Sequence, residues 1–92
     1  MVRLFISDVD GVLTDGSMYY SENGNELKRF STYDGMAFIL LKELEVKTAI
    51  ITSENTKIVS NRSDKMKIDY LYQGLKNFGK LESAKEICRI NN

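Results

Sequence analysis

Near the start of the chain, "FISDVDGVLTDG" sets Asp8 and Asp10 one residue apart directly after an apolar run and follows them with Gly11. Two carboxylates spaced in this way can divide the work of phosphoryl transfer. One attacks phosphorus to give an aspartyl-phosphate and ligates a metal. The other protonates the leaving oxygen, later activates water, and turns its backbone carbonyl toward the metal. Asp8 takes the first role and Asp10 the second. The negative charge collected there calls for Mg2+ and for donors to the phosphate oxygens. Thr52 and Ser53 close a second apolar run, "AIITS", and Lys76 and Lys80 follow a third, "DYLYQG". Hydroxyls and an ammonium are thus at hand, and Gly11 frees the chain to turn beside the acids.

Each of these residues has an ordinary reading when taken alone. An Asp-Gly pair after a strand often only makes a turn, which is the role assigned to Asp15 and Gly16. A threonine or serine can simply end a strand, and a lysine is usually solvated. Their joint arrangement is what points to phosphate. A calcium loop starting at Asp8 would need glycine at its sixth place and glutamate at its twelfth, where Leu13 and Tyr19 stand. A receiver-type signalling module would need an acid at the end of a central strand, where "AIIT" offers Thr52. The chain has no histidine and a single cysteine, Cys88, which excludes cysteine-histidine catalysis, His-ligated zinc and an internal disulfide. Cys88 is expected to be a small buried hydrophobe.

The elements that must position these groups follow from hydrophobic periodicity. "RLFISDV", "KTAIIT" and "DYLYQG" read as short buried parallel strands that deliver polar residues at their carboxyl ends. Between the first two, "SMYY", "SENGNE" and "LKRF" read as a hairpin turning at Asn23-Gly24. From Asp34, "DGMAFILLKELEV" reads as a helix whose inner face is Ala37, Leu40, Leu41 and Leu44. "ENTKIVSNRSDKMK" is a second helix with Ile58, Val59 and Met66 inward. "LESAKEICRI" is a third, with Leu81, Ala84, Ile87 and Cys88 on one face. Strand, hairpin, helix, strand, helix, strand, helix predicts an α/β fold: a doubly wound, Rossmann-like parallel sheet with helices on both faces and a hairpin flap. In such sheets ligands bind beyond the carboxyl ends of the strands.

Composition agrees with one folded domain over residues 1–92 that includes a flap at 17–30. Of the 92 residues, 42% are apolar, and thirteen basic residues balance thirteen acidic ones, so no net field draws the chain to nucleic acid or an anionic membrane. The first apolar run is too short for a signal peptide or a membrane span, and a cytoplasmic location is expected.

The motifs resemble those of the haloacid dehalogenase-type phosphatases: "DVDGVLTDG" the first, "AIITS" the second and "YQGLKNFGKL" the lysine region. With "GNELKRFSTYDG", the sequence is similar to the capless sugar-acid branch, which comprises 3-deoxy-octulosonate 8-phosphate phosphatases, nonulosonate 9-phosphate phosphatases and the phosphatase-like domain of some acylneuraminate cytidylyltransferases. The resemblance implies Asp8 as nucleophile and magnesium ligand and Asp10 as general acid/base with its carbonyl on the metal. It implies Thr52, with Ser53, and Lys80 as phosphate-binding residues, with Lys76 as a second choice for the lysine. It places Asp34 and Gly35 near substrate and implies a homotetramer in which the hairpin covers a neighbour's active site. Glu54 and Lys65 look like the nine-carbon branch, as does Tyr33 where the octulosonate enzymes often have arginine, so a nonulosonate phosphate is favoured over an octulosonate phosphate. The branch's fourth motif, a glycine followed by paired acids, has no counterpart before Asn92. The sheet is therefore expected to be incomplete at the C-terminus and the sequence to be a fragment of a longer enzyme. The alternative is a non-catalytic, oligomerising module like the cytidylyltransferase domain.

Overall fold

The computed structural model describes residues 2–76 and 79–91. Three short apolar segments form a parallel sheet in the order β1 (Leu4–Ser7), β4 (Lys47–Ile51), β5 (Tyr70–Tyr72). The chain is thus an α/β fold. Registers pair Ser7 with Ile50 and Ile51 with Tyr72, so all three strands release the chain at the same edge of the sheet. From Thr48 to Ile51 the central strand is enclosed, with Ala49 and Ile50 at 0% and 1% exposure, as this uncharged, largely β-branched stretch requires.

Between β1 and β4 the chain forms a two-stranded antiparallel hairpin, β2 (Tyr19–Tyr20) and β3 (Glu26–Leu27), and then α1 (Thr32–Glu43). Gly24 takes φ +83° at the tip, a left-handed value that glycine adopts without strain, and its amide donates to the Ser21 carbonyl. A bridge between Thr14 and Phe30 closes the hairpin's base. The helix begins two residues earlier than expected because the Ser31 hydroxyl caps it, accepting from the Tyr33 amide at 3.1 Å.

Helices α2 (Lys57–Met66) and α3 (Gly79–Asn91) follow β4 and β5. The hydroxyl of Thr56 caps α2 by accepting from the Val59 amide, and Lys67 ends it in the left-handed conformation at φ 56°. Phe5 of β1 packs edge-on against Phe38 of α1, with ring centroids 5.8 Å apart. Leu4, its neighbour on the strand, lines a groove with Ala84 and Cys88 of α3 instead. Successive strand residues face opposite ways, so α1 and α3 cover opposite faces of the sheet. Val9, Leu13, Phe38, Ile50, Val59 and Met66 make up the core, with Phe30, Leu41, Ile68 and Leu71 packed against it.

Two expected helix faces are corrected. In α1 the buried residue is Phe38, supported by Leu41, whereas Ala37, Leu40 and Leu44 are exposed. The run Met36 to Leu41 is apolar throughout and therefore presents hydrophobic groups on every side of the helix, so spacing could not select the inner one. In α3 the inward stripe is Ser83 and Ile87, while Leu81 is open to solvent. Cys88, expected to be buried, is exposed, because one residue beyond Ile87 the helix has rotated by about 100°. For α2 the expectation was closer, with Val59 and Met66 buried and Ile58 half-buried. Among the described residues, no helix is long and apolar enough to cross a membrane.

Candidate active site

The loop leaving β1 is wound tightly. The Val9 carbonyl accepts the amides of Val12, Leu13 and Thr14 at 2.8–3.1 Å, and the Thr14 hydroxyl accepts those of Gly11 and Gly16 at 3.2 Å. Gly11 sits at φ +78°, where a side chain would be strained. Thr14 was not singled out in the sequence, yet as a nearly buried hydroxyl it fixes both ends of the turn that follows the acids. Asp15 shapes the way into the hairpin. It accepts the Ser17 amide at 2.9 Å and the Tyr19 hydroxyl at 2.6 Å, and these hydrogen bonds hold its carboxyl below the usual range.

Asp8 stands where β1 ends, with a 44% exposed side chain. Its Oδ1 accepts the Val9 amide at 2.8 Å and the Lys80 ammonium at 3.2 Å. Among the described residues, Oδ2 accepts nothing, so one carboxylate oxygen is held and the other is open for attack. Lys80 lies in the first turn of α3 and is brought there by the loop after β5. That loop is tied to the exit of β4: the Thr52 carbonyl accepts the Leu75 amide at 3.3 Å and the Glu54 carbonyl that of Gly74 at 3.0 Å. Lys76 is exposed and makes no side-chain contact of this kind among the described residues.

Thr52 is 2% exposed, and its hydroxyl accepts the Glu54 amide at 3.4 Å, which leaves its proton for a ligand. Ser53 beside it is exposed. The second acid, Asp10, is held by a residue that sequence reasoning passed over. The Lys28 ammonium, at the end of the hairpin, lies 2.9 Å from Asp10 Oδ1, 3.0 Å from Glu54 Oε2 and 3.3 Å from Glu26 Oε1. Burial alone would lower the pKa of this ammonium, but hydrogen bonds to Asp10 and Glu54 and the nearby Glu26 carboxylate outweigh it and hold the pKa well above the ordinary lysine value. Nothing in the local sequence marks Lys28, because its role comes from three segments folding around it.

The remaining expected site residues lie elsewhere. Asp34 lines a cleft of about 460 Å3 with Val12, Asp15, Arg29 and Ser31, beside the acid cluster rather than within it. Gly35 serves packing: a Cβ there would stand 3.0 Å from the Arg62 guanidinium, which donates to the Ser31 carbonyl and lies over the Phe30 ring. Lys65 is not brought to the strand exits. It sits in the last turn of α2 beside Lys42 and Glu43, at the opposite end of that helix from Thr56.

A divalent ion fits the donor set by type. The Asp8 carboxylate and the Asp10 carbonyl offer hard oxygen donors of the kind magnesium takes, and water can fill its remaining octahedral positions. Among the described residues, no cluster of three His, Cys, Asp or Glu side chains is assembled around it.

Known proteins share this arrangement of strands and helices. Over 76 residues, 83% of its length, the chain is 43% identical to the 3-deoxy-D-manno-octulosonate 8-phosphate phosphatase KdsC of Escherichia coli K12 and covers 40% of that protein. It matches the solved structure of the same enzyme from Yersinia pestis with a TM-score of 0.90 at 37% identity, covering 97% of this chain and 47% of that one. The Moraxella catarrhalis enzyme, solved in complex with magnesium ion, phosphate ion and KDO molecule, gives a TM-score of 0.84 at 31% identity over 96% of this chain and 51% of that one. The chain therefore spans about half or less of the length of these relatives. No protein-family model matches it.

Proposed function

We propose, from the premise that this chain is homologous to the KdsC-type phosphatases of the haloacid dehalogenase family, that it acts as a magnesium-dependent phosphatase on a sugar-acid phosphate. The observation that supports this best is the state of Asp8: one oxygen fixed by the Val9 amide and Lys80, the other open at the strand exit.

In this reading Asp8 Oδ2 attacks phosphorus and the bond from phosphorus to the sugar oxygen breaks. Asp10, protonated on the oxygen that Lys28 leaves free, gives its proton to the departing alkoxide. The Asp10 carboxylate then takes a proton from water, whose oxygen attacks the aspartyl-phosphate. The bond from phosphorus to Asp8 breaks, phosphate leaves and both acids are restored. The Thr52 hydroxyl and the Lys80 ammonium hold the phosphoryl oxygens as charge develops, with Ser53 at the rim. Magnesium, held by the Asp8 carboxylate and the Asp10 carbonyl, would neutralise that charge.

For the substrate, 3-deoxy-octulosonate 8-phosphate comes ahead of a nonulosonate 9-phosphate. The relatives named above are octulosonate phosphatases. Two of the three residues that favoured the nine-carbon acid are not free at one site, since Lys65 lies away from the strand exits and Glu54 is paired with Lys28. The hairpin, with Tyr20 and Leu27 exposed, would be the interface of a homotetramer.

The test is magnesium-dependent phosphate release from both sugar-acid phosphates, with Asp8→Asn as control. Release by the wild type and not by the variant is expected. Full activity in the variant, or no release from either ester, would overturn the reading.

A further inference from the structure

Asp8 and Asp10 each have a lysine of their own, and the two lysines differ in accessibility. The Lys80 side chain, on Asp8, is 41% exposed and can meet a phosphate. The Lys28 side chain, on Asp10, is 2% exposed and already surrounded by three carboxylates, so no ligand can reach it. Lys28 therefore does not bind substrate. Its partners come from three separate parts of the fold: Asp10 from the loop after β1, Glu54 from the loop after β4, and Glu26 from the hairpin that carries Lys28 itself. Asp10 and Glu54 remain 39% and 36% exposed, so the buried cation holds two carboxylates that are still open to solvent.

We infer that Lys28 is the positioning residue for the Asp10 carboxylate and the clamp that holds the hairpin against the strand exits. The arrangement supports both parts. An ammonium buried among carboxylates is costly to strip of its partners, so the pairs form or break together. Its hydrogen bond engages Asp10 Oδ1, and among the described residues Oδ2 has no hydrogen-bond partner, so the oxygen that would carry the proton stays available. Hairpin closure and placement of the acid are thereby one event.

The positioning half rests on the phosphatase reading, whereas the clamping half does not, and the experiment separates them. In Lys28→Met, kcat/KM is measured for a sugar-acid phosphate and for 4-nitrophenyl phosphate. This ratio reports only the steps through phosphoryl transfer to Asp8, and nitrophenolate departs without a proton. With Asp10 misplaced, kcat/KM for the sugar ester falls about 100-fold while that for the aryl ester stays within about threefold. An equal fall for both would reduce Lys28 to a structural part and overturn its positioning role.

Amide hydrogen exchange on the same chain, without substrate, tests the clamp. Tyr19–Leu27 and the Asp10–Gly11 turn should exchange at least about tenfold faster in Lys28→Met, while β4 and α2 keep their protection. Unchanged protection in the hairpin would overturn the clamp. A wild type that hydrolyses neither ester defeats the phosphatase reading and the positioning role with it, and leaves exchange to decide the clamp. Should Lys28→Met fail to fold, Lys28→Arg keeps the cation and should retain the wild-type ratio of sugar-ester to aryl-ester kcat/KM within about threefold. Loss of that ratio in the arginine variant would count against the positioning role.

Discussion

The Lys80 ammonium lies 3.2 Å from Oδ1 of Asp8, 72 residues away in sequence. The pair joins the end of the first strand to the first turn of the last helix and leaves Asp8 Oδ2 open. Replacing Asp8 by asparagine keeps an oxygen for the Val9 amide but removes the nucleophile. Turnover of a sugar-acid phosphate should fall by more than about 1,000-fold. The melting curve should shift by no more than about 1 kcal/mol, because the ion pair that is lost is close to half exposed. Phosphate release together with thermal denaturation checks both halves, and an unfolded variant would contradict the second.

Lys80→Met separates phosphate binding from folding in the same pair. With Lys80 41% exposed, its loss should cost at most about 1 kcal/mol of stability, yet it removes a cation from the phosphoryl oxygens. A fall of about 100-fold in kcat/KM is expected, while Lys76→Met, at an exposed position without such a contact, should change it by less than about threefold. Paired kinetics on the two variants settle which lysine serves the site.

How much of this was legible in sequence depended on whether a residue's role is local. The Asp8 and Asp10 pair, the Asn23-Gly24 turn and the three apolar strands are defined by near neighbours, and the structure places each where the pattern puts it. The inner faces of α1 and α3 were read only in part, with Leu41 and Ile87 inward as expected, because Met36 to Leu41 is apolar on all sides and because Ser83, a polar residue, faces inward in α3. Lys28 could not be read at all. A lysine in a polar stretch is ordinarily solvated, and only the meeting of the hairpin with two strand exits buries this one.

The corrected helix face makes a stability prediction of its own. Ile50, 1% exposed in the central strand, belongs to the core with Val9, Phe38 and Val59, and Ile50→Ala should cost about 3 to 4 kcal/mol through lost burial and the cavity left behind. Leu44, counted from the sequence as an inner residue of α1, is 72% exposed. Leu44→Ala should therefore stay within about 0.5 kcal/mol of wild type. Urea denaturation of the two variants tests this, and a large cost at Leu44 would restore the face expected from periodicity.

Asp69 predicts where acid begins to loosen the sheet. Its carboxylate, just before β5, accepts the Thr48 amide at 2.9 Å and lies 3.5 Å from the Lys42 ammonium. Burial pushes its pKa up, but the Thr48 amide, Lys42 and Lys47 outweigh that and lower it overall. The folded state thus binds this proton less readily than the unfolded one. The stabilisation it gives is complete above the unfolded value near pH 4 and is lost as pH falls through the lower folded value. Asp69→Asn should weaken the protein at pH 7 and flatten the slope of stability against pH below about pH 4. Melting temperatures of the two proteins from pH 7 down to pH 2 measure this: the curves should converge on acidification, and a constant gap across the range would show that the charge of Asp69 contributes nothing to the fold.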